Sequence, residues 1–441
     1  MRRAIFDHSE AVTGKSFLLR PSLPAKTSSV SPIGSHRGVS LAVLGGVWLG
    51  GVVPDAPALG IRIADQDPAA TARGNAFVAT ADNPSAIYYN PAGLTQLPGH
   101  QVRLGAYAIA LDSQFTSPAG NHFDTKSRVD VVPQFYYTYG MKEHPLALGV
   151  GLYSPYGLAL EWPNNSEFGI VYGKMTYLTL NPVIAWQAHP TLSLAAGLTL
   201  NYADTEIRQQ AVTGLPNSVT KFTGEDTDAG FNLGLLWQPF QQHSVGLSYR
   251  SPTTQGFTGT GTTTGTGFID GTGPASARFP FPRHVVVGYS FRPTPDWNLE
   301  FNADWTEWRR LTTVNFQLPA GTVPVPFNWR SSWFYEFGVT RRFENGWRAS
   351  AGYIFSENSV PDANFSPLVP DSDRHIFSFG VGRQQARLAW DVAYQIGWGP
   401  SRSVSGSPPA VPIFAGPPAA SPNGNYTFLS HALTAAVSFR F

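Results

Sequence analysis

Apolar and polar residues alternate along most of this chain with a period of two. In 297–305 the odd positions are Trp297, Leu299, Phe301, Ala303 and Trp305, and the even ones are Asn298, Glu300, Asn302 and Asp304. The same alternation runs through Leu192, Leu194, Ala196, Leu198, Leu200 and Tyr202. It returns at Leu388, Trp390, Val392, Tyr394 and Ile396, with Arg387, Asp391 and Gln395 between them. Successive side chains of a strand point to opposite faces, so these runs predict half-buried strands and not helices. Fourteen are expected, over 101–112, 128–141, 146–158, 173–188, 191–207, 222–239, 243–258, 278–292, 296–316, 331–343, 346–357, 374–384, 386–401 and 426–441.

The connections between them alternate in length. Lys142 to Pro145, His189-Pro190, Gln241-Gln242, Pro293 to Pro295, Glu344-Asn345 and Gln385 are short, whereas 113–127, 159–172, 208–221, 259–277, 317–330, 358–373 and 402–425 are long. Short turns at one end and long loops at the other are the signature of an outer-membrane barrel. In hydrocarbon an unpaired backbone N–H or C=O costs several kcal/mol, so a sheet spans a membrane only if it closes on itself. In the last run Leu429, Leu433, Ala435, Val437, Phe439 and Phe441 share one face, and Ser430, Thr434, Ser438 and Arg440 the other, with His431 an exception on the apolar side. A soluble β-sandwich would alternate too, but it leaves the paired loop lengths and the outward Trp and Tyr residues unexplained. The fold expected for 100–441 is therefore all-β, a 14-stranded antiparallel transmembrane β-barrel.

Composition agrees. Among 441 residues, 30 Lys and Arg stand against 29 Asp and Glu, a formal charge of +1 that excludes the basic balance of a dedicated nucleic-acid binder. Cys is absent, which removes disulfide scaffolds, thiolate zinc sites and cysteine nucleophiles. Charged residues are 13% of the chain, about half the usual share, while 12 Trp, 17 Tyr and 29 Phe are present. Such a surface is suited to contact with something other than water. Nothing from 59 to 441 approaches 18 consecutive apolar residues, so helical spans are excluded.

The N-terminal region reads as an export signal. An apolar run over 39–53 follows Arg37 and precedes Ala56-Pro57-Ala58, an A-x-A cleavage site. A cleaved signal peptide with an extended n-region is expected over 1–58, in preference to an anchor, because 15 residues are too few to cross a bilayer as a helix.

Catalytic signatures are missing: there is no H-E-x-x-H, G-x-S-x-G or G-x-G-x-x-G. Ser430-His431 is an adjacent pair of the residue types used in hydrolysis, but its side chains face opposite ways on a strand. Glu225-Asp226-Thr227-Asp228 lacks the spacing of an EF-hand and reads as lumen-facing polar positions. The Gly/Thr-rich segment from Gly256 to Gly273 reads as a flexible extracellular loop. No catalytic residue, metal or cofactor is expected.

Residues 59–99 do not fit the strand pattern. They contain Ala72-Arg73-Gly74-Asn75-Ala76-Phe77 and, further on, Asn83-Pro84-Ser85-Ala86-Ile87-Tyr88-Tyr89-Asn90-Pro91-Ala92-Gly93-Leu94. This text resembles the N-terminal hatch of the FadL/TodX-type outer-membrane transporters (OmpP1/FadL-like), including their Asn-Pro-Ala motif at Asn90, Pro91 and Ala92. Tyr156-Gly157-Leu158-Ala159-Leu160-Glu161-Trp162, Tyr249-Arg250-Ser251, Val360-Pro361 and Pro370-Asp371-Ser372-Asp373-Arg374 extend the resemblance over the mature chain.

The resemblance implies a barrel plugged by a hatch over 59–99. It also implies passive outer-membrane transport of hydrophobic compounds, long-chain fatty acids foremost, with uncharged or aromatic hydrocarbons of the TodX kind as the alternative. A general porin and a barrel hydrolase are further alternatives. In the family the third strand is kinked inward and opens the wall sideways. Here Ser154, Pro155, Tyr156 and Gly157 stand at that place; Pro155 cannot donate to a ladder and Gly157 has no side chain to pack. The same residues would also mark the outer end of a strand, and both readings stay open.

A fatty acid needs a partner for its carboxylate. Arg330 resembles the family's basic residue near the ligand pocket, although the residues by themselves favour a rim Arg binding lipopolysaccharide phosphate or loop carbonyls. In the fifth strand, where a second basic partner is expected by resemblance, only Arg208 lies near Asp204 and Glu206. Besides its hydrophobic ligand, the partners expected are lipopolysaccharide or other outer-membrane lipid, and the barrel assembly machinery through the strand ending at Phe441. The protein is expected to be a monomer in the Gram-negative outer membrane, without nucleic acid.

Overall fold

The computed structural model describes residues 61–407, apart from 165, 168, 213, 216 and 320, and residues 421–441. The signal peptide expected over 1–58 lies outside them. Fourteen antiparallel strands form a closed barrel. In order they are Gly99–Thr116, Val129–Gly140, a third strand in two pieces (Leu146–Tyr153 and Gly157–Glu161), Val171–His189, Leu192–Gln210 and Val219–Phe240. The seventh (His243–Arg250 and Thr253–Thr264) and eighth (Gly271–Phe281 and His284–Phe291) are also in two pieces. Trp297–Thr306, Ser332–Arg342, Trp347–Ser356, Arg374–Gln384, Leu388–Val404 and Gly424–Arg440 complete the wall. The first strand pairs with the last from Gln101 opposite Arg440 to Thr116 opposite Asn425, which closes the cylinder.

The polarity of the wall is the reverse of a water-soluble protein's. In the ninth strand Asn298, Glu300, Asn302 and Asp304 are buried, while Leu299 and Phe301 are 44% and 38% exposed. Leu198, Leu433 and Phe439 likewise face out, and Ser193, Thr199 and Thr434 face in. No helix among the described residues is long and apolar enough to cross a membrane, and a barrel needs none. On the outer face His431 shares a 2.6 Å hydrogen bond with the hydroxyl of Tyr394, so its polarity is satisfied locally.

Three sequence expectations are corrected. The Gly/Thr-rich segment expected as a flexible loop is a long hairpin, Thr253–Thr264 against Gly271–Phe281, and its first arm also pairs with the sixth strand. Threonine suits a pleated surface, and at Gly259 a Cβ would lie 2.2 Å from the carbonyl oxygen of Thr223, so glycine here permits pairing rather than looseness. The ninth strand, expected through 316, ends at Thr306, because the chain turns inward to bury Trp308 and Leu311. A separate hairpin then follows, Thr313–Leu318 against Gly321–Pro326, within what reads as strand and loop.

Glu225-Asp226-Thr227-Asp228 has a structural use. Where the seventh strand breaks at Ser251-Pro252, Asp228 accepts from the amide of Thr254 at 2.8 Å and Asp226 from that of Gly256 at 2.5 Å. The carboxylates replace ladder partners that the bend removes.

Inside the barrel, residues 61–98 form a compact plug with short helices Pro68–Thr71 and Ala86–Tyr89 and a 3-10 turn Pro91–Gln96. Asp67 caps the first helix by accepting from the amide of Ala69 at 2.9 Å, with Pro68 at the first helical position.

Candidate functional site

The Asn-Pro-Ala corner explains how the plug is held. Asn90 accepts from the amide of Ala92 at 3.2 Å, which starts the 3-10 turn, and Pro91 sits where a missing N–H costs nothing. Its Nδ2 donates to the carbonyls of Val78 at 2.8 Å, within the hatch, and of Leu235 at 2.9 Å, on the sixth strand. One amide thus binds the plug to itself and to the wall. The fit is close because the wall opposite carries glycine: a Cβ at Gly234 would lie 2.5 Å from Asn90 Oδ1 and 2.8 Å from the amide nitrogen of Ala92. At Gly246 and Gly352 it would lie 2.2 Å from the carbonyl oxygen of Val78 and 2.0 Å from the amide nitrogen of Gly74.

Buried ion pairs join hatch and wall at three further places. Arg62 meets Asp304 in a two-pronged pair at 2.9 and 2.6 Å and also donates to Thr306. Arg103 bridges Asp67 of the hatch and Asp391 of the thirteenth strand. Glu300 faces Arg73 at 3.4 Å and accepts from the amide of Ala79 at 2.8 Å. Within the hatch, burial pushes the Asp65 carboxyl above its ordinary range, partly countered by hydrogen bonds from Asn75 and Gln395.

The third strand is interrupted at Ser154-Pro155-Tyr156. Its pairing with the second strand stops at Leu152 opposite Phe135, so residues 129–134 keep a partner only on the first-strand side among the described residues. The outer piece, Gly157–Glu161, pairs with the fourth strand alone. Both of its faces are buried through 157–160, unlike a strand with one side in lipid. The vacated edge is met by the start of the hatch: Ile63 donates to the carbonyl of Pro155, and Gly157 to that of Ile61, each at 2.9 Å. Gln66 adds a bond to the carbonyl of Ser154 at 2.8 Å, and the hydroxyl of Tyr156 shares one with His284 Nε2 at 2.8 Å.

On the side of the long connections, the interior is a chamber of packed aromatic and aliphatic side chains reaching Tyr156, Leu158, Leu160 and Trp162 of the third strand. Its rings meet edge-on or tilted, with Tyr156 to Phe281 at 4.7 Å, Tyr156 to Tyr177 at 5.0 Å and Trp308 to Trp329 at 4.9 Å. Such a cluster offers a hydrophobic molecule apolar area and ring faces.

The sequence-selected residues fall into separate places. Asn90, Pro91 and Ala92 lie together at the hatch corner, and Ser154, Pro155, Tyr156 and Gly157 at the strand break beside the chamber. Arg330 is exposed and bonds through its backbone to Ser359, while its neighbour Trp329 enters the chamber. Arg208 pairs with Glu206, lies over the ring of Tyr172 at 4.6 Å, and borders an outer cavity of about 330 Å³ together with Lys221. Sequence reasoning singled out neither Arg62 nor His284, since nothing in the order of residues says that positions so far apart meet. The polar face of the ninth strand, with Asp304 on it, was the available signal. Arg250, from Tyr249-Arg250-Ser251, lies over the rings of Tyr88 and Tyr153 at 5.2 and 5.4 Å, between hatch and break.

Comparison with known proteins agrees with this architecture. Residues 52–441 match the family described as outer membrane protein transport protein (OMPP1/FadL/TodX). A long-chain fatty acid transport protein of Escherichia coli O6:H1 is 23% identical over 351 residues, covering 69% of this chain and 78% of the relative. The crystal structure of a Pseudomonas aeruginosa FadL homologue superposes with a TM-score of 0.76 at 17% identity, covering 87% of this chain and 100% of that one. The Ralstonia pickettii toluene transporter TbuX superposes with a TM-score of 0.68 at 16% identity, over 85% and 98% of the two chains. The chain belongs to the OMPP1/FadL/TodX family and is an outer-membrane β-barrel protein.

Proposed function

We propose that this member of the family is a passive channel for hydrophobic compounds, long-chain fatty acids foremost, which enter the aromatic chamber from outside and leave sideways into lipid at the break in the third strand. The observation that carries this reading is the loss of pairing between the second and third strands beyond Leu152, next to a chamber that reaches Tyr156 and Leu158. Each buried CH₂ is worth roughly 0.8 kcal/mol, so a tail of biological length favours an apolar chamber by on the order of 10 kcal/mol before costs. A sideways exit spares that tail a return to water. The ion pairs and close contacts that fasten the hatch to the wall support the same route, since they oppose passage straight through.

The chamber's rings, together with the likeness to a toluene transporter, favour monoaromatic hydrocarbons as a second reading. Nothing in either reading calls for catalysis. The alternating last strand that ends in Phe441 supports delivery by the barrel assembly machinery. A monomer in contact with lipopolysaccharide completes the proposal.

The test is uptake by cells whose own channel of this kind is deleted. Removing 154–156, so that the two pieces of the third strand join, should abolish oleate uptake while the purified barrel keeps its gel shift on boiling. Undiminished uptake by a folded variant would overturn the lateral route. Toluene supplied in place of oleate separates the two ligand readings, and a large steady conductance in planar bilayers would favour a porin instead.

A further inference from the structure

The lipid-facing wall has a hollow over the ninth to twelfth strands. Phe301, Phe337, Tyr353 and Phe377 stand in register on these four strands and border it. Their rings form a band, with centroids 4.8, 6.2 and 5.2 Å apart in that order. In the next outward row Leu299 and Phe379 flank Val339 and Ala351, again in register. Two short side chains between longer ones leave a concavity of about 580 Å³ lined mainly by aromatic and aliphatic groups.

The row beyond it carries charge. Arg341 stands opposite Trp297 and two residues from Val339 on the same face, so it is roughly 7 Å further along the strand. It is exposed, with its guanidinium 5.3 Å from the ring of Trp297 and 4.9 Å from that of Phe343. Arg383 faces out opposite Trp347, lies over that ring at 5.2 Å and donates to the carbonyl of Asn345 at 3.3 Å. Neither arginine has a carboxylate partner among the described residues, although Asp296 and Glu344 lie in the adjoining turns. Both stand beside the short turn at 343–346, and short turns face the periplasm in such barrels. Aromatic rings and arginines together at one depth mark the boundary between hydrocarbon and water.

We propose that this face holds an anionic phospholipid of the periplasmic leaflet, with its phosphate on Arg341 and one acyl chain in the hollow over Val339 and Ala351. Arg383, two strands away and so roughly 10 Å to the side, adds to the attraction for an anionic head. The neighbouring rings hold the Arg341 guanidinium without neutralising it, and a guanidinium matches phosphate oxygens in a two-pronged pair. In a bilayer the chain gains nothing by leaving water, so its retention rests on contact with the rings and on the charge at its head. A second copy of this chain on the same face would bring its own unpaired arginines to the same depth, like charge against like. The inference goes beyond the channel reading and does not depend on it, because these side chains point away from the lumen.

The experiment is native mass spectrometry of the purified full-length barrel, delipidated in detergent and titrated with dioleoyl phosphatidylglycerol or with dioleoylglycerol, which has the same chains and no phosphate. The unsubstituted protein should bind the phospholipid about tenfold more tightly. Arg341→Gln should weaken phospholipid binding about fivefold and leave dioleoylglycerol unchanged. Ala351→Phe, which fills the hollow and keeps the charge, should weaken both. Equal affinity of the unsubstituted protein for the two probes would overturn the inference. So would undiminished phospholipid binding by either variant, each shown to be folded by its gel shift, since the lipid would then sit elsewhere. A dimer that Ala351→Phe separates would also overturn it, by giving this face to a second copy.

Discussion

The amide of Gly157 donates to the carbonyl of Ile61 at 2.9 Å, so the hydrogen bond a second strand would have made is made by the hatch. Two residues away, the amide of Ile63 returns the favour to Pro155. Over this stretch the plug's first residues act as a piece of the wall.

Ile63→Pro removes that donor without altering the barrel strands. The loss of one net hydrogen bond, about 1 kcal/mol, should speed hydrogen exchange at the Gly157 amide about fivefold. Exchange measured by mass spectrometry on the folded barrel, with peptides covering 154–161, checks this.

Arg62 and Asp304 lie 4% and 2% exposed, so neither can turn to water if the other is removed. Arg62→Ala should cost about 3–5 kcal/mol, most of it from the carboxylate left behind. Asp304→Asn in the same chain should recover a large part of that cost. Urea unfolding of the detergent-solubilised protein measures both.

At Gly246 and Gly352 the hatch backbone occupies the space a side chain would need. Gly246→Val or Gly352→Leu should leave a barrel that still shifts on gels, with its plug dislodged. The expected readout is a rise in single-channel conductance in planar bilayers, and an unchanged conductance would show that the plug accommodates the intrusion.

Leu198 is 61% exposed on the outer face of the fifth strand. Leu198→Arg should destabilise the protein in lipid vesicles by about 2–4 kcal/mol if the position lies at the midplane, falling to about 0–1 kcal/mol near an interface. Folding titrations in vesicles report the value.

The barrel was legible because its rule is local. Alternation over 297–305 identifies a strand, and which face meets lipid follows from which face is apolar. The rule failed where one face stops meeting lipid. Past Thr306 the alternation slips, with Glu307 and Arg309 at the formerly apolar positions, but the slip alone does not say that Trp308 and Leu311 turn inward to fill the chamber. The Gly/Thr hairpin was obscured for another reason: glycine reads as looseness, although at Gly259 it answers a close approach from Thr223 that only the folded wall creates.

The candidate site divides in the same way. Asn90, Pro91 and Ala92 were visible as text and prove to be a capped corner pressed on Gly234. Ser154 to Gly157 were visible as a proline and a glycine in a strand. The pairing of Arg62 with Asp304 depends on a separation of 242 residues, which no local pattern carries.

The seam between the first and last strands has a counterpart inside the barrel. Gln101 pairs with Arg440, so the cylinder closes only when the two ends of the wall meet. The plug comes ahead of the first strand, and its fasteners reach the sixth, ninth and thirteenth. Those contacts tie staves from three parts of the wall to one post, so the plug braces the cylinder from within as the seam holds it from the rim.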